Sequence, residues 1–177
     1  SKCELFQKEV NFLGHVVSES GIATDPKKVG KVAGWPRPLN VTEVQSFLGL
    51  TSYYRKYIQG YADLAHPLNQ LTQKEKEFIW TEECEQSFKT LKEKLISAPV
   101  LAYPDHDLPF ILDTDASDFG IGAVLSQVKE GEEHPVQYAS RSLSKEERNY
   151  CVTRKELLAV VEFIQHFKIY LSGRAFT

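Results

Sequence analysis

The hydrophobic pattern of this 177-residue chain changes its period once, near Pro104 and Asp105. Between residues 25 and 97, apolar residues recur at the three- and four-residue spacing that is typical of amphipathic helices. From Leu108 onward, β-prone runs bounded by Gly, Pro and Asp indicate short strands. The pattern therefore predicts an α+β fold, with two units that meet where the period changes.

The first unit is predicted to begin with a strand, a turn and a strand over residues 4–23. Residues 25–73 predict three helices, with Asp25 and Asn40 as capping residues at the starts of the first two. A further amphipathic helix is predicted to begin at Thr81. This unit is thus expected to be a small β-hairpin followed by a helical segment.

The second unit is predicted to be a three-stranded antiparallel meander followed by a long helix. The strands are expected over Leu108–Ala116, Phe119–Val128 and Pro135–Ser140. The helix is expected to end at Gly173. Its buried side is predicted to consist of Leu157, Leu158, Val161, Ile164, Phe167 and Leu171.

Charge is distributed unevenly along the chain, although the formal net charge is only -3. Residues 24–76 carry eight Lys or Arg and four Asp or Glu, whereas residues 77–177 are net acidic. This asymmetry suggests two units with different partners, although charged faces exposed to water would give the same distribution.

Composition excludes several classes of protein. No apolar run approaches the ~18 residues of a membrane span, and the first residues form no signal peptide, so we expect an intracellular protein without a membrane partner. Cys3, Cys84 and Cys151 are too far apart for a zinc ribbon or a dense disulfide framework. The chain contains no Met, which leads us to expect a piece of a longer product.

Two carboxylates, Asp113 and Asp115, stand two residues apart on a predicted strand and therefore on the same face of it. A carboxylate within an apolar strand needs a compensating charge, which a divalent cation that prefers oxygen ligands would supply. The alternative is a carboxylate that caps the turn near Asp118. The local pattern leaves both interpretations open.

Glu156 allows two interpretations as well. It stands three residues after Thr153, just before an apolar run, which is the spacing of a helix capping box. It would also lie in the first turn of a helix packed across the sheet and facing Asp115, where two carboxylates could share a metal ion. Ser144 and Glu147 form a second predicted capping box.

Aromatic and basic residues alternate in Tyr53-Tyr54-Arg55-Lys56-Tyr57, on a predicted helix. Aromatic rings can stack on bases, and Arg and Lys can neutralise phosphates, so this segment is a candidate nucleic-acid contact. The alternative places Tyr54 and Tyr57 in the helical core and the cations in water.

Taken in order, these segments resemble the C-terminal half of a gypsy-type (Metaviridae) retrotransposon reverse transcriptase. The order and spacing of the matching stretches over nearly the whole chain make the resemblance specific. The matching stretches are Phe12-Leu13-Gly14-His15, Ser20-Gly21-Ile22, Trp35-Pro36-Arg37-Pro38, Phe47-Leu48-Gly49-Leu50, Tyr53-Tyr54-Arg55-Lys56-Tyr57-Ile58, Pro67-Leu68, Ala98-Pro99-Val100-Leu101, Thr114-Asp115-Ala116-Ser117 and Glu156-Leu157-Leu158-Ala159-Val160.

The resemblance implies a role for each segment. Residues 1–23 would be the end of the palm with the primer-grip hairpin, and residues 24–75 the helical thumb that packs against template–primer duplex. Residues 76–104 would be a connection, and residues 105–177 the first part of a ribonuclease H (RNase H) domain. The implied nucleic-acid-binding residues are Phe12, Leu13, Gly14, His15, Tyr53, Tyr54, Arg55 and Lys56.

The resemblance also implies a nuclease site. Asp115 matches the family's first metal-binding aspartate and Glu156 its metal-binding glutamate, whereas Asp113 has no counterpart. In the family, two Mg²⁺ (or Mn²⁺) ions bind the scissile phosphate of the RNA strand in an RNA–DNA hybrid.

Two parts of the family's machinery have no match in these 177 residues, namely the polymerase's Tyr-x-Asp-Asp motif and the later RNase H carboxylates. We therefore expect weak metal binding and little or no activity from these residues alone. The remainder of the Pol polyprotein would be a partner: palm and fingers upstream, and the rest of RNase H and integrase downstream. The alternative is a non-catalytic, nucleic-acid-binding remnant of a retrotransposon.

Overall fold

A computed structural model describes residues 7–74 and 76–177 of the chain. The start of the first predicted strand, at residues 4–6, and Cys3 lie outside the described residues. The predicted α+β fold is confirmed, with a small sheet and four helices followed by a second sheet and two helices. No helix in the described part of the chain is long and apolar enough to cross a membrane.

The first sheet is antiparallel, with strand order β1-β2-β3. It contains one strand more than the predicted strand, turn and strand. The added turn lies at Glu19 and Ser20, between β2 and β3. The first turn requires positive φ at both of its residues, 48° at Leu13 and 80° at Gly14. The strands are β1 (Glu9–Phe12), β2 (His15–Ser18) and β3 (Gly21–Thr24).

Four α-helices follow, and the first two begin at the predicted caps. The side-chain oxygen of Asn40 accepts from the Glu43 N–H at 2.9 Å, and that of Asp25 accepts from the Lys27 N–H at 2.9 Å. A single 3-10 turn, Arg55–Tyr57, separates the second and third helices. The helices are α1 (Pro26–Ala33), α2 (Val41–Tyr53), α3 (Tyr61–Leu71) and α4 (Glu82–Ile96).

These helices bury one continuous apolar core with aromatic contacts at its centre. Phe47 is fully buried, and its ring centroid lies 4.6 Å from that of Phe88. Leu91 and Leu95 of α4 are fully buried in the same cluster, as expected for an amphipathic helix.

The second sheet is the predicted antiparallel meander, in the order β4-β5-β6. Near the end of the chain, Phe176 forms a parallel bridge with Phe110, beside β4. A 3-10 turn, Glu147–Asn149, leads into the long helix. The capping box predicted for Ser144 and Glu147 is present at the start of this turn, because the Ser144 N–H donates to Glu147 Oε2 at 2.7 Å. The remaining elements are β4 (Ile111–Ala116), β5 (Gly120–Lys129), β6 (Glu132–Ser142), α5 (Val152–His166) and α6 (Lys168–Leu171).

The predicted buried side of α5 is partly wrong. Leu157 is 61% exposed and Val161 is 66% exposed, whereas Ala159 and Phe163 lie against the sheet. Apolar residues occupy most of the circumference of this helix, so their spacing does not select one face. The small side chain of Ala159 allows α5 to approach the sheet closely.

The segment between the two units is hydrogen-bonded to both sheets. Leu101 exchanges two backbone hydrogen bonds with Ile22 of β3, at 2.8 and 2.9 Å. The next residue, Ala102, donates to the carbonyl of Pro135 in β6 at 2.8 Å. The approach to β3 is close enough that a Cβ on Gly21 would lie 2.2 Å from the Leu101 oxygen. This segment therefore joins the two sheets instead of forming a free linker.

Candidate nucleic-acid and metal sites

Tyrosines of the helical segment pack against the turn between β1 and β2. The Tyr54 hydroxyl donates to the Gly14 carbonyl at 2.8 Å. The Tyr57 hydroxyl lies 2.9 Å from Nδ1 of His15, and the Tyr53 ring stacks on the His15 ring with centroids 5.4 Å apart. The predicted primer-grip residues and the predicted thumb tyrosines thus form one cluster.

Exposure divides this cluster into surface residues and supporting residues. Phe12 and Leu13 are 62% and 69% exposed, and Tyr53 is 49% exposed, so all three can contact a ligand. Tyr54 is fully buried, so its side chain supports the Gly14 turn and cannot stack on a base. This agrees with the alternative considered for Tyr54, which places it in the core.

The two basic residues beside the cluster differ in exposure. Arg55 is exposed, whereas Lys56 is half-buried with its ammonium 5.2 Å from the ring centroid of Tyr57. Burial lowers the pKa of Lys56, and burial together with the charges of Lys56 and Lys28 lowers the pKa of His15. Burial raises the pKa of Tyr57, so this hydroxyl stays protonated and available to His15. The site is therefore most stable with His15 neutral.

Asp113 and Asp115 lie exposed on one face of β4, as the spacing predicted. Their partners across the sheet are Val124 and Gly122 of β5. The alternate residues of β4 pack toward α5, so both carboxylates lie on the face away from that helix. Neither carboxylate caps the following turn, which is closed by Ser117 instead.

Glu156 does not form the predicted capping box. The helix α5 begins at Val152 with Cys151 as its N-cap, so Glu156 lies two residues beyond the position of a capping-box glutamate. It is half-buried, and within the described ranges its carboxylate has neither a hydrogen bond nor an ion pair. Neither capping, hydrogen bonding nor ion pairing within the described residues therefore explains why a charged residue stands at position 156.

An ion pair connects the residue before Glu156 to the turn that follows β4. Lys155, only 6% exposed, donates to the Asp118 carboxylate in the β4–β5 turn at 2.8 Å. That hydrogen bond lowers the pKa of Asp118. The first turns of α5 are thus tied to the turn that follows Asp115.

The sheet face of Asp115 is covered in part by α3. A small cavity of about 100 Å³ is lined by Asp113 and Asp115 together with Gln59, Gly60 and Asp63 from the helical segment. Among residues 7–74 and 76–177, no group of three or more Asp, Glu, His or Cys is arranged to hold a metal ion. The structure therefore brings Asp63, which sequence reasoning missed, close to Asp115, and leaves Glu156 outside this cavity.

The donor chemistry of Asp115 and Glu156 fits a hard divalent cation. Mg²⁺ in phosphoryl-transfer sites is commonly held by one or two carboxylates, with substrate phosphates and water completing its coordination. Two carboxylates without other partners would satisfy that requirement only when phosphate is present.

Known proteins resemble this chain at the level of both sequence and fold. The family model described as "RNase H-like domain found in reverse transcriptase" matches residues 80–177. The Pol polyprotein from transposon 297 of Drosophila melanogaster is 44% identical over 99% of the chain, and the Tf2-3 polyprotein of Schizosaccharomyces pombe is 40% identical over 98%. The chain spans 16% and 13% of the length of these two relatives.

Solved structures share the fold over nearly the whole chain. A foamy viral protease-reverse transcriptase in complex with double-stranded DNA covers 96% of the chain, with a TM-score of 0.80 and 22% identity. The same kind of enzyme in complex with an RNA/DNA hybrid covers 97%, with a TM-score of 0.79. The chain covers 30% and 24% of these two proteins.

Proposed function

Because the chain belongs to the family of RNase H-like domains found in reverse transcriptases, we propose that it is part of a retrotransposon reverse transcriptase with RNase H activity. In this proposal it binds template–primer duplex and RNA–DNA hybrid, and contributes part of the site that hydrolyses the RNA strand. The proposed segments are the end of the palm (1–23), the thumb (24–75), the connection (76–104) and the first part of the RNase H domain (105–177).

The observation that carries the nuclease proposal is the state of Asp115 and Glu156. The Lys155–Asp118 pair ties the first turns of α5 to the turn after Asp115, and neither Asp115 nor Glu156 is used in capping or pairing within the described residues. Carboxylates without a partner in the protein are candidates for holding a cation against a bound phosphate. A divalent cation would stabilise the negative charge that develops on the phosphate during hydrolysis.

In this mechanism the residues of this chain hold the divalent cation, orient α5 and bind the phosphates of the duplex. Asp115 and Glu156 would hold a divalent cation, and the pair Lys155–Asp118 fixes α5 relative to the turn after Asp115. Along the proposed thumb, cations such as exposed Arg55 neutralise backbone phosphates, which favours binding by shape over reading of sequence.

Cleavage of a labelled RNA–DNA hybrid tests the nuclease proposal. We would assay the chain alone and a chimera in which residues 1–177 replace the matching stretch of the transposon 297 Pol polyprotein. The chimera should cleave the RNA strand with Mg²⁺ or Mn²⁺, whereas the chain alone should cleave weakly or not at all. In the chimera, Asp115→Asn and Glu156→Gln should each reduce cleavage by about 100-fold or more.

Asp113→Asn is the matched control, because Asp113 lies on the same strand and face as Asp115 and is equally exposed. Its cleavage rate should stay within a few-fold of the unmodified chimera. Undiminished cleavage by the Asp115→Asn variant would refute the assignment of the site.

Binding of the hybrid by the 177-residue chain is measured separately. Affinity should fall steeply between 50 and 200 mM salt, as expected when phosphate contacts release counterions. Arg55→Gln should reduce both the affinity and the salt dependence, whereas Lys94→Gln on the exposed surface of α4 should not. Salt-sensitive binding by the chain, with no cleavage by a folded chimera, would favour a non-catalytic remnant that binds nucleic acid.

A further inference from the structure

The first turn of α3 docks on the turn that joins β4 and β5. Asp63 of α3 accepts a hydrogen bond from the Ser117 hydroxyl at 2.7 Å. Beside it, the Ala62 N–H donates to the Ser140 hydroxyl of β6 at 3.0 Å. These contacts join the proposed thumb to the proposed RNase H unit, and the sequence pattern did not predict them.

The surface of the second sheet is shaped for this approach. A Cβ on Gly120 would lie 2.7 Å from Oδ1 of Asp63 and 3.3 Å from Cβ of Ala62, so any larger residue would displace the Asp63 carboxylate from its place beside Ser117. At the rim of the contact, the Phe119 ring stacks on the His66 ring of α3 with centroids 4.2 Å apart. A polar contact and an aromatic contact thus hold the same turn from one helix.

Ser117 transmits the contact to the turn. Its hydroxyl oxygen accepts from the N–H groups of Phe119 at 3.1 Å and Gly120 at 2.9 Å, which closes the turn. The Ser117 hydroxyl oxygen lies 2.7 Å from Oδ1 of Asp63 and 3.1 Å from the Gly120 carbonyl oxygen, so Asp63 is the nearer acceptor for its proton. A carboxylate acceptor strengthens the bond, so Asp63 fixes the rotamer on which the turn depends.

We propose that Asp63 is a positioning residue for the nuclease site: from the thumb, it holds the turn that begins two residues after Asp115. This rests on the proposed nuclease function for its effect on catalysis. As a consequence, α3 of the proposed duplex-binding thumb also determines the position of the proposed nuclease carboxylate, Asp115. The distance between the primer end and the cut in the RNA strand is then fixed by the α3 contact.

The contact itself is tested in the 177-residue chain by amide hydrogen exchange, which requires no nuclease activity. Asp63→Ala should accelerate exchange of the Phe119 and Gly120 amides by about tenfold. Asp63→Asn keeps an acceptor oxygen and should restore slow exchange. Gln59→Ala is the control, because Gln59 lines the same cavity and its side chain has no hydrogen bond within the described ranges. Unchanged exchange in Asp63→Ala would overturn the proposal.

The positioning role is tested by cleavage in the chimera described above. Asp63→Ala should raise the Mg²⁺ concentration needed for half-maximal cleavage by several-fold and broaden the distribution of cut positions, and Asp63→Asn should restore both. A lower rate with an unchanged Mg²⁺ requirement and unchanged cut positions would overturn positioning. If the unmodified chimera does not cleave, the nuclease function fails, and hydrogen exchange still decides whether Asp63 holds the turn.

Discussion

Replacement of Gly21 by Ala should weaken the junction between the two units more than any ordinary surface change. Gly21 has φ of 136°, which side-chain-bearing residues rarely adopt, and the added Cβ would lie 2.2 Å from the Leu101 carbonyl oxygen. Contact at that distance is impossible, so the 100–101 segment must move away from β3. Movement breaks the two backbone hydrogen bonds between Ile22 and Leu101.

The expected loss follows from these two effects. Backbone strain of this kind costs about 1–3 kcal/mol, and two backbone hydrogen bonds contribute about 1 kcal/mol each. The free energy of unfolding should therefore fall by about 3–5 kcal/mol, a large part of the ~5–15 kcal/mol typical of a folded domain.

Urea unfolding followed by circular dichroism provides the measurement, with Gly30→Ala as the matched control. Gly30 lies in α1, and a Cβ there meets nothing within 4 Å, so the substitution should stabilise the protein by about 0.5–1 kcal/mol. At a slope of about 2 kcal/mol per molar urea, the Gly21→Ala midpoint should fall by roughly 2 M. A Gly21→Ala midpoint equal to that of the unmodified protein would refute the close approach of residues 100–101.

Three further predictions concern the first unit, which contains the small sheet and the four helices. Tyr54→Phe removes the hydroxyl that donates to the Gly14 carbonyl and should cost about 1 kcal/mol in urea unfolding, with weaker hybrid binding because the exposed turn loses its support. The pKa of His15 is lowered in the folded state. Its contribution to stability is therefore present above the ordinary histidine pKa of about 6.5 and is lost as the pH falls through the lowered value. The free energy of unfolding should fall between pH 7.5 and pH 5, and it should fall less in the His15→Gln variant. Phe47→Ala opens a cavity in the centre of the helical core and should cost about 3–5 kcal/mol, whereas an undiminished urea midpoint would contradict the packing described.

Local chemistry made much of the fold predictable from sequence. The caps at Asp25 and Asn40 depend only on a side chain and on backbone groups within three residues, so residue type and position are sufficient to predict them. The meander was predictable as well, because its strands follow one another with short turns. The resemblance to gypsy-type polymerases is confirmed by the family and its relatives, since ordered motifs over a long chain are specific.

Features that depend on distant contacts were not predictable. The exposed side of α5 is as apolar as its buried side, so only packing against the sheet decides that Ala159 faces inward. The residues next to Asp63 in the sequence do not mark it as a contact residue. Its role depends on the hydrogen bond from Ser117, which lies 54 residues away. The only signal available was Gly120, a glycine at the start of a strand, where close approach of another backbone is common.

The hydrogen bonds of the 100–105 segment also bear on where the chain can be cut. A protease binds its substrate as an extended strand and needs free backbone groups on both sides of the scissile bond. Leu101 uses both of its backbone groups on β3, Ala102 donates its N–H to β6, and the fully buried Gln127 side chain holds both backbone groups of Asp105. Limited proteolysis should therefore leave the two units joined, and the first nick should fall at an exposed turn such as residues 129–132.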